Sequence, residues 1–247
     1  KVAVVTGASY GLGEAVAKKL IEVNFKVYGV SRSKPKINNA QFVWIEADLA
    51  DTKNLQLVAD KISENKIDLL VNNAGTAFLK NTLEYTDDDF EKMFGLNFKS
   101  PAKLKSLLFP KLRGGLIINI SSLSDRYPDP KHGLYGSSKA AMNLFFETMA
   151  AENPETKIVS ILPSYINTPL QHKIRNDKFD FNVCMTVDEV ADSINEVIIH
   201  PEEFESGSRV AVVKDIKEFE GDYYPEKLWI YSTLKIPFLK YCSSFPR

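Results

Sequence analysis

Cysteine is scarce in this chain: two residues, Cys184 and Cys242, among 247. They stand in unrelated contexts without metal-ligand spacing, which argues against a disulfide framework or a metal site and for reduced thiols. An excess of one charge is missing as well. Lys and Arg number 31 and Asp and Glu 32, for a formal net charge of −1. Nucleic-acid binding and adsorption to anionic membranes both need a cationic surplus that this chain does not have. No apolar run approaches the roughly 18 residues of a membrane span. The chain enters "VAVVTGAS" without a basic segment or cleavage site, so no signal peptide is expected and the cytoplasm is the expected location.

What is present is ordinary globular material, 44% hydrophobic and 26% charged, long enough for one α/β domain with a full core. Short β-branched runs read as strands at 2–6, 26–31, 42–47, 67–72, 115–121, 157–162 and 209–213. Amphipathic helical patterns fill 12–24, 53–64, 87–112 (broken near Pro101), 133–152 and 187–199. Continuously apolar strands suit a parallel sheet buried on both faces. Their alternation with helices predicts a single-domain, doubly wound (Rossmann) α/β fold over 1–247, about seven strands flanked by helices on both faces. Two segments depart from the rhythm. Residues 169–186 are polar with interspersed aromatics, and the tail from about 215 to 247 is rich in aromatics and proline without a period.

"VAVVTGASYGLGEAVAKKL" is a strand, a turn with glycines at 7, 11 and 13, and a helix. Glycines permit the tight turn and let the backbone approach a pyrophosphate resting on the free amides of the helix N-terminus. The plain alternative is a tight strand-to-helix turn with no ligand. Strand two ends "VSRSK", placing Ser31 where NAD-binding folds keep a carboxylate for the ribose hydroxyl. A hydroxyl beside the Arg32 guanidinium instead suits a 2′-phosphate, so NADP(H) is preferred and NAD(H) stays open.

At "TGASYGLG" the sequence closely resembles the short-chain dehydrogenase/reductase family, and the resemblance continues through "NNAG" (72–75), "LIINISS" and "YGSSK". It spans roughly residues 1–200. The resemblance implies hydride transfer between a nicotinamide and a carbonyl/alcohol pair. It also implies a catalytic set of Asn97, Ser122, Tyr135 and Lys139, with Ser122 thirteen residues before Tyr135. Tyr135 would move a proton, Lys139 would lower its pKa and reach the ribose, Ser122 would orient the substrate oxygen, and Asn97 would hold a water. The cofactor would lie on Gly7, Ser9, Tyr10, Gly11, Leu12 and Gly13, on Ser31 and Arg32, and on Asp48 and Leu49 beside the adenine. It would continue over Asn73, Ala74, Gly75, Tyr135, Lys139, Pro163, Ile166 and Thr168. Ser164 departs from the family's glycine after Pro163, which bears on the local backbone and on the near side of the pocket.

Substrate contacts are expected from Ser122, Tyr135 and Tyr165, with Phe179 and Phe181 as candidate walls in a covering loop at 170–186. No arginine cluster declares a phosphorylated or carrier-bound substrate, so an apolar-bodied carbonyl compound is expected. No metal is expected. The aromatic tail reads as a homo-oligomer interface, in a homodimer or homotetramer, or as a cover for the site. Pro237 and a slight basic face make a membrane surface the weakest reading. A catalytically silent NADP(H)-binding sensor or scaffold of the same fold is the competing function; it has no need of the four catalytic side chains.

Overall fold

Runs such as Val2–Thr6 and Leu116–Ile120 are apolar at nearly every position, and they form strands covered on both sides. The computed structural model describes residues 1–175 and 179–215, and the backbone of 228–232 and 236–241. The strands are β1 (Val2–Thr6), β2 (Lys26–Ser31), β3 (Phe42–Glu46), β4 (Leu69–Asn72), β5 (Leu116–Ile120), β6 (Lys157–Pro163) and β7 (Ser208–Val213). They pair in parallel in the order β3-β2-β1-β4-β5-β6-β7. Two further strands extend this sheet. β8 (Leu228–Ser232) runs parallel to β7, and β9 (Ile236–Tyr241) runs antiparallel to β8 at the edge. The tail thus carries two strands that its aperiodic sequence did not announce. Pro237 sits in the outermost strand, where a missing N–H is tolerated. The role expected for the tail's aromatic side chains lies outside the described residues.

Alternation along the strands sends side chains to two separate cores. Ala3, Val5, Leu69, Val71, Ile118 and Val212 pack under α1 (Leu12–Glu22) and α7 (Val187–Ile199). Val4, Leu70, Ile117 and Ile158 pack under α2 (Lys53–Lys61), α4 (Ser100–Leu112) and α5 (Gly133–Glu152). Helices therefore cover both faces of the sheet.

The long helical pattern at 87–112 breaks earlier than expected. α3 (Asp87–Phe94) passes into a π-helical turn, Gly95–Lys99, before α4 begins. Pro101 causes no break because it lies in the first turn of α4, where its absent N–H is not needed. In the loop after β6, a short helix α6 (Pro169–Ile174) forms with Thr168 as its N-cap.

Candidate functional site

Strand order reverses between β1 and β4, the switch point at which open α/β sheets bind ligands beyond the carboxyl ends of their strands. A cleft of about 260 Å³ opens there. Thr6, the last residue of β1, pins its floor. Its hydroxyl donates to the Val71 carbonyl at 3.2 Å and accepts the Asn73 and Ala74 N–H groups at 2.9 and 3.0 Å. The Asn73 amide donates back to the Thr6 and Gly7 carbonyls at 2.8 and 3.3 Å. Asn73 therefore lines the cleft mainly by shaping the glycine turn.

Gly7 and Gly11 adopt φ of 69° and 65°, a region side chains disfavour. Gly11 caps α1 without any side-chain hydrogen bond to the helix amides, which leaves that positive end facing the cleft. Gly13 has no room for a side chain: a Cβ would stand 2.2 Å from the Gly7 carbonyl oxygen and 2.4 Å from Asn73 Nδ2. Gly13→Ala is expected to cost about 3 kcal/mol by overpacking and to weaken dinucleotide binding with it. Thermal melts with and without the dinucleotide check this, and an unchanged Tm in both would contradict it.

Every cofactor residue expected from the sequence lines this one cleft: Gly7, Ser9, Tyr10, Gly11, Leu12, Gly13, Ser31, Arg32, Asp48, Leu49, Asn73, Ala74, Gly75, Tyr135, Lys139, Pro163, Ile166 and Thr168. Their individual contacts sharpen the picture. The Ser31 hydroxyl is buried; it donates to the Ser33 carbonyl at 2.8 Å and accepts the Trp44 indole N–H at 3.2 Å. Its proton is thus committed to the loop, and the exposed Arg32 is the group left to face an anion. Trp44, which holds Ser31, gave no signal in the sequence because the link crosses between neighbouring strands. Asp48 closes a turn onto the Ala50 N–H at 3.0 Å, and α2 starts only at Lys53. Thr168 stands opposite Gly11, about 3.8 Å from where a Cβ there would lie, so the loop after β6 crosses over the glycine turn. Ser164 fits without strain: its N–H continues the ladder to the Val212 carbonyl at 2.9 Å, and its φ is negative.

At the other end of the cleft, α5 presents Tyr135 and Lys139 four residues apart on one face. The Ser122 side chain acts on the Tyr135 phenol, favouring its ionised form. Lys139 Nζ lies 5.8 Å from the centre of the Tyr135 ring and donates to the Ile120 carbonyl at 2.8 Å. Burial pushes the phenol above its ordinary value, opposed by the Ser122 side chain. This departs from the expected lowering by Lys139, because the ammonium faces the ring and a carbonyl instead of bonding to the phenol oxygen.

Lys139 is only 4% exposed, and burial depresses its ammonium from 10.5 to about 8. Holding it charged at pH 7 therefore costs the fold about 3 kcal/mol, a penalty that fades as pH rises from about 8 to 10.5. Lys139→Met removes this charge and leaves the Ile120 carbonyl unpaired at a cost of about 2 kcal/mol. The expected net at pH 7 is a gain of about 1 kcal/mol, or about 3 °C in Tm, together with loss of activity. The gain should shrink towards pH 10. A variant that melts lower than wild type at pH 7 would contradict this.

Asn97 does not line the cleft; it stands behind Gly75 in the π-helical turn. Its Oδ1 accepts the Thr76 N–H at 2.8 Å, while Nδ2 donates to the Thr76 carbonyl at 2.9 Å and to Ser138 Oγ at 3.0 Å. Both amide hydrogens are spent. The side chain fixes the loop beneath Lys139 rather than offering a hydrogen to water.

Sequence reasoning missed a buried network behind Ser122. Asn143 donates to Ser121 Oγ at 2.8 Å and to Asp125 Oδ2 at 2.7 Å, and Arg209 Nη1 donates to the same oxygen at 2.8 Å. It ties the turn that follows Ser122 to α5 and β7. Tyr165 lines the same cleft and meets Phe179 edge to face, and Phe179 in turn meets Phe181. Among the described residues, no group of His, Cys, Asp and Glu is arranged to hold a metal, and no helix is long and apolar enough to cross a membrane.

Comparison with known proteins agrees with this architecture. A family model described as short chain dehydrogenase matches residues 1–178. A benzil reductase ((S)-benzoin forming) of Saccharomyces cerevisiae is 32% identical over 197 residues, covering 71% of this chain and 75% of that protein. An alcohol dehydrogenase from the archaeon Thermococcus sibiricus, solved with 5-hydroxy-NADP, superposes with a TM-score of 0.77 at 21% identity, covering 91% of this chain and 99% of that one. A 3-ketoacyl-(acyl-carrier-protein) reductase from Brucella melitensis, solved with NADH, gives a TM-score of 0.77 at 23% identity, covering 85% and 96%. The family match runs from the glycine turn through Tyr135 and Lys139 and beyond the sixth strand, so the chain belongs to the short-chain dehydrogenase family of oxidoreductases.

Proposed function

We propose that the protein is an NADP(H)-dependent oxidoreductase acting on a carbonyl/alcohol pair, with Tyr135 as the proton-transferring group. The observation that carries this reading is the meeting of Ser122, Tyr135 and Lys139 at the far end of a cleft that begins at the glycine turn. A sensor of the same fold would need the turn but not those three side chains.

The residues present fit a dinucleotide. A side chain at Gly13 would collide with Gly7 and Asn73, so the chain has only backbone to offer at that position, and the α1 amides behind it carry no side-chain cap. Gly11 and Gly13 would hold the pyrophosphate, Arg32 the 2′-phosphate, and Asp48 and Leu49 the adenine. Pro163, Ile166 and Thr168 would face the nicotinamide. When bound, the cofactor supplies or accepts the hydride. Ser122 would hold the substrate oxygen, and Tyr135 would give that oxygen its proton in reduction or remove it in oxidation. Lys139, protonated below about pH 8, places positive charge beside the ring.

A panel of ketones, aldehydes and quinones, followed by oxidation of NADPH and of NADH, tests the proposal. Benzil belongs in it because a relative is a benzil reductase. Turnover with NADPH ahead of NADH is expected. Tight NADPH binding without turnover of any compound would leave the sensor reading standing.

A further inference from the structure

Beside Tyr165 the cleft contains a cation with no carboxylate partner among the described residues. Arg175 follows α6 and lies one turn beyond Gln171 on the same face. Among the described residues no carboxylate stands within 4 Å of its guanidinium; the nearby Asp129 takes the Tyr165 hydroxyl at 3.3 Å, and Asp180 takes the Asn182 N–H at 2.9 Å.

The guanidinium is nevertheless held in place. Its carbon lies 5.0 Å from the centre of the Tyr165 ring and 4.7 Å from that of Phe179, the stacking geometry that suits arginine. Nη2 is 3.1 Å from His132 Nε2, while His132 Nδ1 is 3.0 Å from the Pro130 carbonyl. A carbonyl only accepts and a guanidinium only donates, so Nδ1 carries the proton and Nε2 is bare. His132 is thus a neutral acceptor, buried and fixed, that aims the arginine.

Two donors beside it are unspent. Arg175 Nε and Gln171 Nε2 are both buried and have no hydrogen-bond partner, and both residues line the cleft. Orphaned buried donors are costly. The other cations lining the cleft are placed elsewhere: Lys139 is bonded to the Ile120 carbonyl, and Arg32 lies at the adenine end beside Ser31. Among the described residues, these unspent donors and the cation beside them lack one thing, an anionic acceptor. A planar carboxylate matches the arginine fork best.

We infer that Arg175, aimed by His132 and assisted by Gln171, is a carboxylate-recognition subsite, so that the preferred substrates are oxo acids or hydroxy acids rather than neutral ketones. The inference rests on the oxidoreductase reading of the same cleft and deepens it. It narrows the sequence-based expectation of an apolar-bodied carbonyl compound to one that carries a carboxylate.

The test uses the full chain with NADPH and the ketones benzoylformate, benzoylacetate and 3-benzoylpropionate, each beside its methyl ester, with benzil as a neutral reference. For at least one pair, kcat/KM for the acid should exceed that for the ester by about tenfold or more, the size of one charge-assisted hydrogen bond. Arg175→Met should collapse that acid-to-ester ratio to about one, and Arg175→Lys should restore part of it. Calorimetric titration of the NADPH complex with the best acid should show the same dependence on Arg175. Esters or benzil preferred over every acid would overturn the subsite and leave the reductase reading intact. So would a ratio unchanged in Arg175→Met, or a loss of NADPH affinity in that variant equal to the loss for the acid, which would place Arg175 on the cofactor. If nothing turns over while an acid still binds through Arg175, the subsite stands and the reductase reading falls. If no acid binds and nothing turns over, both fall.

Discussion

Tyr135→Phe is expected to lower kcat by about 10³-fold, within the range for loss of a positioned general acid. The phenyl ring preserves the packing of the cleft wall and the surface over which Lys139 Nζ lies at 5.8 Å. What disappears is the hydroxyl, and with it the proton for the substrate oxygen. The loss should fall mainly on kcat, because the glycine turn and Arg32, remote from the phenol, provide most of the cofactor's contacts in the proposed mode. Steady-state rates at saturating NADPH, with circular dichroism to confirm the fold, check this. A variant that keeps more than about a tenth of the wild-type kcat would show that Tyr135 does not transfer the proton.

Arg32→Ala is expected to raise the Kd for NADPH by about 10- to 100-fold while changing that for NADH by less than about threefold. The loop after β2 has already spent its other hydrogen-bond donor. Ser31 gives its proton to the Ser33 carbonyl and accepts from Trp44, so an incoming phosphate finds its donor in Arg32. Adding Ser31→Asp should reverse the preference. A carboxylate there can still accept from Trp44, would repel a 2′-phosphate and can accept from a ribose hydroxyl. Calorimetric titration of both dinucleotides into both variants checks the pair. Equal losses for NADPH and NADH in Arg32→Ala would mean that the 2′-phosphate is not recognised there.

Much of this fold was legible because its signals are local. The strands at Val2–Thr6 and Lys26–Ser31 fall where the β-branched runs place them, and α5 and α7 begin and end as their patterns predict. The glycine turn could be read because Gly7 and Gly13 answer a steric demand within a few residues of chain. What the sequence hid depends on distant partners. The helix break moved from Pro101 to the turn around Asn97, since that turn is fixed by bonds to Thr76 and Ser138, 21 and 41 residues away. The strands β8 and β9 take their places from pairing with β7 and with each other, not from any alternation of their own. Arg175 stands in no sequence motif. Its significance comes from His132, 43 residues away, and from two aromatic rings.

The most direct test of the central claim follows the hydride itself. NADPH deuterated at the transferable position of the nicotinamide would be incubated with the best carbonyl substrate and the wild-type chain, and the alcohol analysed by mass spectrometry and NMR. The account predicts one deuterium on the carbinol carbon, delivered at the rate of NADPH oxidation and abolished in Tyr135→Phe. An alcohol without deuterium, or deuterium transfer that continues undiminished in that variant, would contradict it.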